Sequence, residues 1–170
     1  VIRDQAETKI DPTADDGRFM LRAIELAQTG IDSNAGGPFG CVVVKDDEIV
    51  GEGVNQVTST NDPTAHAEVV AIRNAWRKLD SFQLDGCVVY TSCEPCPMCL
   101  GAIYWARPER VFIACDRNDA AAAGFDDAFI YDELCGTDLT VRKVPVSSLL
   151  RDEGLKVFQN WIPKPDKIEY

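Results

Sequence analysis

The chain has a single histidine, His66, in the run HAE, and a later run, TSCEPCPMC at residues 91–99, that holds three of its seven cysteines. These two runs constrain the fold more than any other feature. Cys96 and Cys99 stand three apart, so they share a face if a helix opens there, and Pro95 and Pro97 suit the first turn of one. Free N–H groups and the helix dipole at such a start favour anions, which lowers a thiol pKa and makes thiolate ligands. His66 also begins a helical pattern after a loop. Two helix starts brought together would hold one metal ion through His66, Cys96 and Cys99. A structural site would be closed by a fourth protein ligand, whereas a catalytic one keeps a position for water. Cys93 has the spacing for that fourth ligand, but it falls at a strand end before Pro95 redirects the chain. Spacing leaves both assignments open.

Glu68 lies two residues from His66, so on an ideal helix the two would face different ways. They serve one site only if the metal sits off the helix end, where Glu68 reaches the metal-bound water. Zinc brings the pKa of such water to roughly 7. A carboxylate beside it can pass the proton to a leaving group, a role worth about 10²–10⁴ in rate. H-x-E followed by P-C-x-x-C is the pattern of zinc deaminases. A purely structural zinc module leaves Glu68 without a role.

Periodicity places these runs. DDGRFMLRAIELAQTG reads as a helix with Phe19, Ala23, Ile24 and Ala27 on one face, capped by Asp15 and ended at Gly30. GIDSNAGGPFG is a Gly-rich loop. CVVVKDDEIVGEGVN reads as a hairpin turning at Asp46–Asp47, and NQVTSTNDPTA as a loop. HAEVVAIRNAWRKL is a helix, CVVYTS a strand, CPMCLGAIYWAR a helix and RVFIAC a strand. NDAAAAGFDDAFIYDEL is helical with a break at Gly124, LTVRKV is a strand, and SSLLRDEGLKVFQNW is the last helix. IPKPDKIEY carries two prolines and is not regular helix. One hairpin followed by alternating strands and helices predicts an α/β fold: a three-layer α/β/α sandwich around a mixed sheet. No domain boundary is visible, so residues 1–170 read as a single domain, with 1–14 as a loose lead-in.

With 170 residues, 45% of them hydrophobic, the chain can bury a real core. A net charge of −11 opposes binding to phosphate backbones, and no Lys/Arg cluster offsets it. A small molecule is the expected partner, with neither nucleic acid nor membrane. No apolar run is long enough to span a bilayer and no signal-peptide pattern opens the chain. Cys41, Cys87 and Cys115 sit in apolar runs and read as small buried hydrophobes, as expected of a cytoplasmic protein.

DPTAHAEVVAIRNA and YTSCEPCPMCLGAIYWAR resemble the two zinc-site blocks of the cytidine deaminase-like superfamily, and the resemblance runs from about Phe19 to the C-terminus. It implies a central five-stranded sheet and one Zn²⁺ per subunit on His66, Cys96 and Cys99. It also implies Glu68 as the proton shuttle and leaves Cys93 out of the ligand set. Within the superfamily, GGPFGCVVVKDDEIVGEGVN, AGFDDAFIYDEL and the Tyr-ended tail are similar to the bacterial guanine-deaminating group. That resemblance implies hydrolysis of guanine, a purine base, at C2 to give xanthine and ammonia. The related substrates are guanosine, another aminopurine or a triazine, and more remotely adenosine in tRNA.

The same resemblance implies further site residues. Asn55 would hydrogen-bond the purine, Phe39 and Trp105 would line its ring, and the Ala67 N–H would point at the pocket. Asp127 would accept the guanine N1–H and 2-amino donors, a pattern adenine lacks. The residues alone leave Asp126 and Asp127 interchangeable, since either can cap the helix that follows. The group is similar in forming homodimers that exchange C-terminal segments. Residues 160–170, ending in Tyr170, would then cover the partner's site.

Overall fold

A computed structural model describes residues 12–136 and 142–168. They fall into two compact units, Val1–Asp126 and Asp127–Tyr170.

The first unit opens with α1 (Ala14–Asp32). Its start is a capping box. The Asp16 N–H donates to Thr13 Oγ1 at 3.3 Å, and the Thr13 N–H donates to Asp16 Oδ2 at 2.6 Å. Thr13, not Asp15, therefore caps the helix. Gly30 lies inside it, because the chain continues helical to Asp32 before Ser33 closes it. The hairpin follows as β1 (Gly40–Lys45) and β2 (Glu48–Val54). Asp46 and Asp47 both have positive φ, at 49° and 62°, the backbone of a type I′ turn whose twist matches the strands it joins.

Beyond the hairpin the expected loop contains one short helix, α2 (Val57–Thr60). Then come α3 (Ala67–Leu79), β3 (Cys87–Cys93), α4 (Pro97–Ala106) and β4 (Arg110–Cys115). The unit ends with α5 (Arg117–Ala122) and the Gly124 break, where φ is +93°.

The sheet is mixed, in the order β2-β1-β3-β4. β1 runs antiparallel to β2 and β3, and β3 runs parallel to β4 with α4 as the crossover. Successive residues of β1 are buried on opposite faces. Cys41 and Val43 join Val89 of β3 against α3 and α4, through Ala71, Ile72 and Ile103. Val42 and Val44 join Tyr90 against α1, through Phe19, Ala23 and Leu26. Leu26 takes the place expected of Ile24, which is exposed. Helices thus cover both faces, as the three-layer expectation requires.

The described sheet has four strands rather than five. The fifth was expected over 139–144; of that stretch 139–141 lie outside the described residues, and 142–144 are bent rather than extended. Cys115 is exposed, not buried, because β4 is the edge of the described sheet and its last residues carry no cover within this unit. Cys41 and Cys87 are buried as expected.

In the second unit, α6 (Ala128–Cys135) and α7 (Arg151–Trp161) have no buried residues. Phe129, Leu134, Leu149 and Phe158 are all exposed.

Candidate metal centre

The site is built where α3 and α4 begin. His66 is the N-cap of α3 and Cys96 the N-cap of α4, both with extended backbone. Neither makes a side-chain capping bond. The His66 ring turns instead to the sulfurs, with Nδ1 at 3.5 Å from Cys96 Sγ and 3.5 Å from Cys99 Sγ. The three donor atoms all lie within 4.8 Å of one another. Pro97 takes the first helical position, where its missing N–H costs nothing and its φ is already helical. Cys99 follows on the same face and is buried, while His66 and Cys96 are half-buried.

One imidazole nitrogen and two sulfurs at this separation fit zinc. The two sulfurs are also electrostatically coupled. The hydrogen bond from Cys99 pulls the Cys96 thiol down to about 4, against its burial, and His66 adds to the effect. The same bond, together with burial, pushes the Cys99 thiol up.

Among the described residues the donor group has three members. Cys93 is not one of them, and its Sγ donates to the Asp116 carbonyl at 3.5 Å.

Glu68 is 6% exposed, an unusual position for a carboxylate, and accepts from Cys99 Sγ at 3.5 Å. Burial raises its carboxyl above the usual carboxylate range. It shares the site with His66 because His66 is not helical. The extended N-cap swings the imidazole off the helix end, which removes the conflict of a two-residue spacing.

Two glycines set the approach of α3. A Cβ on Gly53 would collide with the Ala67 carbonyl oxygen and would stand 2.6 Å from the Ala71 nitrogen. A Cβ on Gly51 would strike the Ala71 carbonyl. The first turn of α3 therefore lies directly on β2. Ala67, fully buried, sits at that contact.

Phe39 and Asn55 are brought together at the open end of the hairpin, where the Asn55 N–H donates to the Phe39 carbonyl at 3.0 Å. Asn55 is 6% exposed. Its Oδ1 accepts from the Gly37 and Val57 N–H groups, each at 3.2 Å, which fixes the amide plane. Side-chain atoms beyond glycine at position 36 would run into Asn55 itself. The Phe39 ring meets Phe125 edge-on, with centroids 5.0 Å apart and planes at 83°.

Sequence reading missed Phe125, Gly37 and Gly53. The available signals were the glycine doublet of GGPFG, the two-residue glycine spacing of VGEGV, and the aromatic that opens FDD. Trp105 is not gathered into the buried set; it is 63% exposed on the outer side of α4, beside exposed Tyr104. Asp127 is the N-cap of α6 in the second unit, half-buried, with no side-chain capping bond, and Asp126 is exposed. Tyr170 lies outside the described residues.

Residues 13–115 match the family model for the cytidine and deoxycytidylate deaminase zinc-binding region. The chain belongs to this deaminase family. The match spans both helix starts and every strand of the described sheet. Among relatives of this family, the chain is 55% identical to guanine deaminase of Bacillus subtilis (strain 168) over 152 residues, 89% of this chain and 97% of that one. The X-ray structure of the Bacillus subtilis guanine deaminase superposes with a TM-score of 0.88 at 54% identity, covering 91% of this chain and 98% of that one. A tRNA-specific adenosine deaminase from Buchnera aphidicola is 32% identical over 86% of this chain and 93% of its own length. The guanine deaminase from Nitrosomonas europaea matches at a TM-score of 0.62 and 28% identity, over 90% of this chain and 86% of that one.

Proposed function

We propose that this chain is a zinc-dependent guanine deaminase that hydrolyses guanine to xanthine and ammonia. The observation that carries the reading is the convergence of His66, Cys96 and Cys99 on one point with buried Glu68 beside them. Identity of 55% to a guanine deaminase across nearly its whole length supports the choice of base. His66, Cys96 and Cys99 would hold one zinc ion per subunit. When bound, zinc supplies the Lewis acidity that makes water nucleophilic near neutral pH.

The chain's own residues do the rest. Glu68 takes one proton from the attacking water and delivers it to the ring nitrogen, then takes the second proton from the added hydroxyl and delivers it to the amine, which departs as ammonia as the carbonyl forms. Its burial keeps that proton from bulk solvent. Asn55, with its oxygen committed to the Gly37 and Val57 N–H groups, presents its amide nitrogen as a donor to the purine. Phe39 and Trp105 line the ring, and the Ala67 N–H faces the pocket. Asp127 accepts from N1–H and the 2-amino group.

The chain works as a cytoplasmic homodimer of single-domain subunits. Residues 160–170 of one subunit, with Tyr170, cover the site of the other. Exposed apolar side chains support the exchange: among the described residues of the second unit, α6 and α7 carry Phe129, Leu134 and Phe158 exposed.

The test is ammonia release from guanine, guanosine, a triazine and tRNA. Wild type is expected to act on guanine, and Glu68→Gln is expected to lose about 10²–10⁴ in rate while keeping its zinc. Guanine turnover at the wild-type rate in Glu68→Gln would sink the mechanism. Turnover of tRNA adenosine without turnover of guanine would sink the substrate. For the dimer, a chain lacking residues 163–170 and a Glu68→Gln chain are each inactive alone. Mixed, they regain activity if the tail serves the partner's site, and stay inactive if it does not.

A further inference from the structure

Glu94 lies inside the metal run, two residues before Cys96, and the proposed function gives it no work. It is not a loose surface carboxylate. Arg117, at the start of α5, donates to it three times. The backbone N–H reaches Oε2 at 3.1 Å, Nε reaches Oε1 at 3.0 Å, and Nη2 bonds Oε1 as well.

Two further bonds join the same turns. The Glu94 N–H donates to the Cys115 carbonyl at 2.9 Å, and Cys93 Sγ donates to the Asp116 carbonyl at 3.5 Å. Cys93 and Cys115 are register partners at the ends of parallel strands β3 and β4. The β4–α5 turn is itself rigid. Asp116 caps α5 by accepting from the Asn118 and Asp119 N–H groups at 2.8 and 3.0 Å, and its own N–H donates to Asp119 Oδ2 at 2.9 Å. The strand-to-helix turn that delivers Cys96 is thus stapled to a capped neighbour.

We propose that Glu94 and Arg117 are positioning residues which, through this three-bond clamp, hold the Cys93–Cys96 turn so that the site retains its metal. The inference rests on the zinc reading given above. Outer-shell groups that orient metal ligands typically change metal affinity about 10–100-fold when removed. Two guanidinium N–H groups on one carboxylate oxygen, with the backbone N–H on the other, fix direction as well as distance, which a single ammonium does not. The Glu94 and Arg117 side chains are 22% and 45% exposed, so the pair adds little to global stability. Its effect falls on the turn.

The experiment is the rate at which zinc leaves the full-length holoprotein for a chromophoric chelator, with the thermal midpoint measured alongside. Glu94→Gln and Arg117→Gln are each expected to release zinc about 10–100-fold faster, with midpoints near wild type. The double variant is expected to be no faster than either single, since both remove one contact. Arg117→Lys, which keeps the charge and loses the fork, falls between, and it remains informative should a glutamine variant fail to fold. Release at the wild-type rate in the single variants overturns the inference, as does acceleration fully matched by a fall in midpoint. A wild-type protein that takes up no zinc overturns the zinc reading itself, and the clamp with it.

Discussion

The two faces of the sheet bury polar groups in different ways. On the α1 face Tyr90 is 3% exposed, and its hydroxyl donates to Asp16, whose other oxygen accepts from Thr13. Each group there is answered by another. The phenol stacks on Phe112 and packs near Phe19, so the pair is both hydrogen-bonded and walled in. On the α3–α4 face Glu68 is nearly as buried, and its carboxylate is met by its own backbone N–H and by a thiol at 3.5 Å. Around it stand two sulfurs and an imidazole, not hydrogen-bonding groups chosen for a carboxylate. One face spends its polar chemistry on folding. The other holds it beside the candidate metal site, where the proposed function needs it.

The largest effects come from the glycines that let each helix down onto its strand. A Cβ on Gly40 would collide with the Ala23 carbonyl of α1, and one on Gly53 with the Ala67 carbonyl of α3. Gly40→Ala and Gly53→Ala are each expected to cost about 1–3 kcal/mol by overpacking, measured by urea unfolding. Only Gly53→Ala is expected to lose turnover per folded molecule, by about 10²-fold, because lifting the first turn of α3 moves His66 and Glu68 together. Equal loss of turnover in both would break the distinction between the faces.

The sequence carried the site better than the fold's edges. His66, Cys96 and Cys99 were legible because helix starts announce themselves through proline and periodicity, and because ligand chemistry allows few residue types. The chain's direction at Pro95 and the family resemblance both set Cys93 apart from the ligands; its hydrogen-bond partner, the Asp116 carbonyl, is a contact distant in sequence that neither specified. The pairing of Glu68 with His66 depended on an N-cap backbone that no spacing rule specifies. Phe125 was missed because it meets Phe39 from the far end of the unit, and Gly37 because the need for a glycine there shows only once those two rings are in place. Cys115 was misread because an apolar strand looks the same at a sheet's edge as at its centre. Asp15 lost the cap to Thr13 since both, two positions apart, satisfy the same local rule.

A smaller contrast comes from deleting one polar group on each face. Tyr90→Phe removes the donor to Asp16 and is expected to destabilise by about 1 kcal/mol. Glu68→Gln removes a charge from a buried site and is expected to stabilise by about 1 kcal/mol while activity is lost. Both are read from denaturant midpoints in zinc-replete protein. Destabilisation by Glu68→Gln would mean that the carboxylate is structural after all, and the faces would no longer differ.

The smallest effect is a pH signature confined to the α1 face. Asp16 is held below the usual carboxylate range, first by the Tyr90 hydroxyl and then by the Thr13 N–H. Tyr90 is pushed up, first by burial and then by the bond to Asp16. The two shifts describe one bond between a neutral phenol and an ionised carboxylate. A lowered folded pKa gives stability that is present above the unfolded carboxylate value of about 3.9 and lost as pH falls through the folded one. A raised phenol gives stability present below about 10 and lost as pH rises beyond it. The bond therefore contributes between roughly pH 4 and pH 10 and fades on both sides. Tyr90→Phe should remove the alkaline fall and weaken the acid one, whereas Asp16→Asn should remove the acid fall. Because Asp16 is only half-buried, solvent screens the acid limb and keeps it shallow. Unfolding midpoints of the three proteins, compared from pH 3 to pH 10.5, would separate these limbs. Identical curves would show that Tyr90 is held by Phe19 and Phe112 alone, with Asp16 no more than a helix cap.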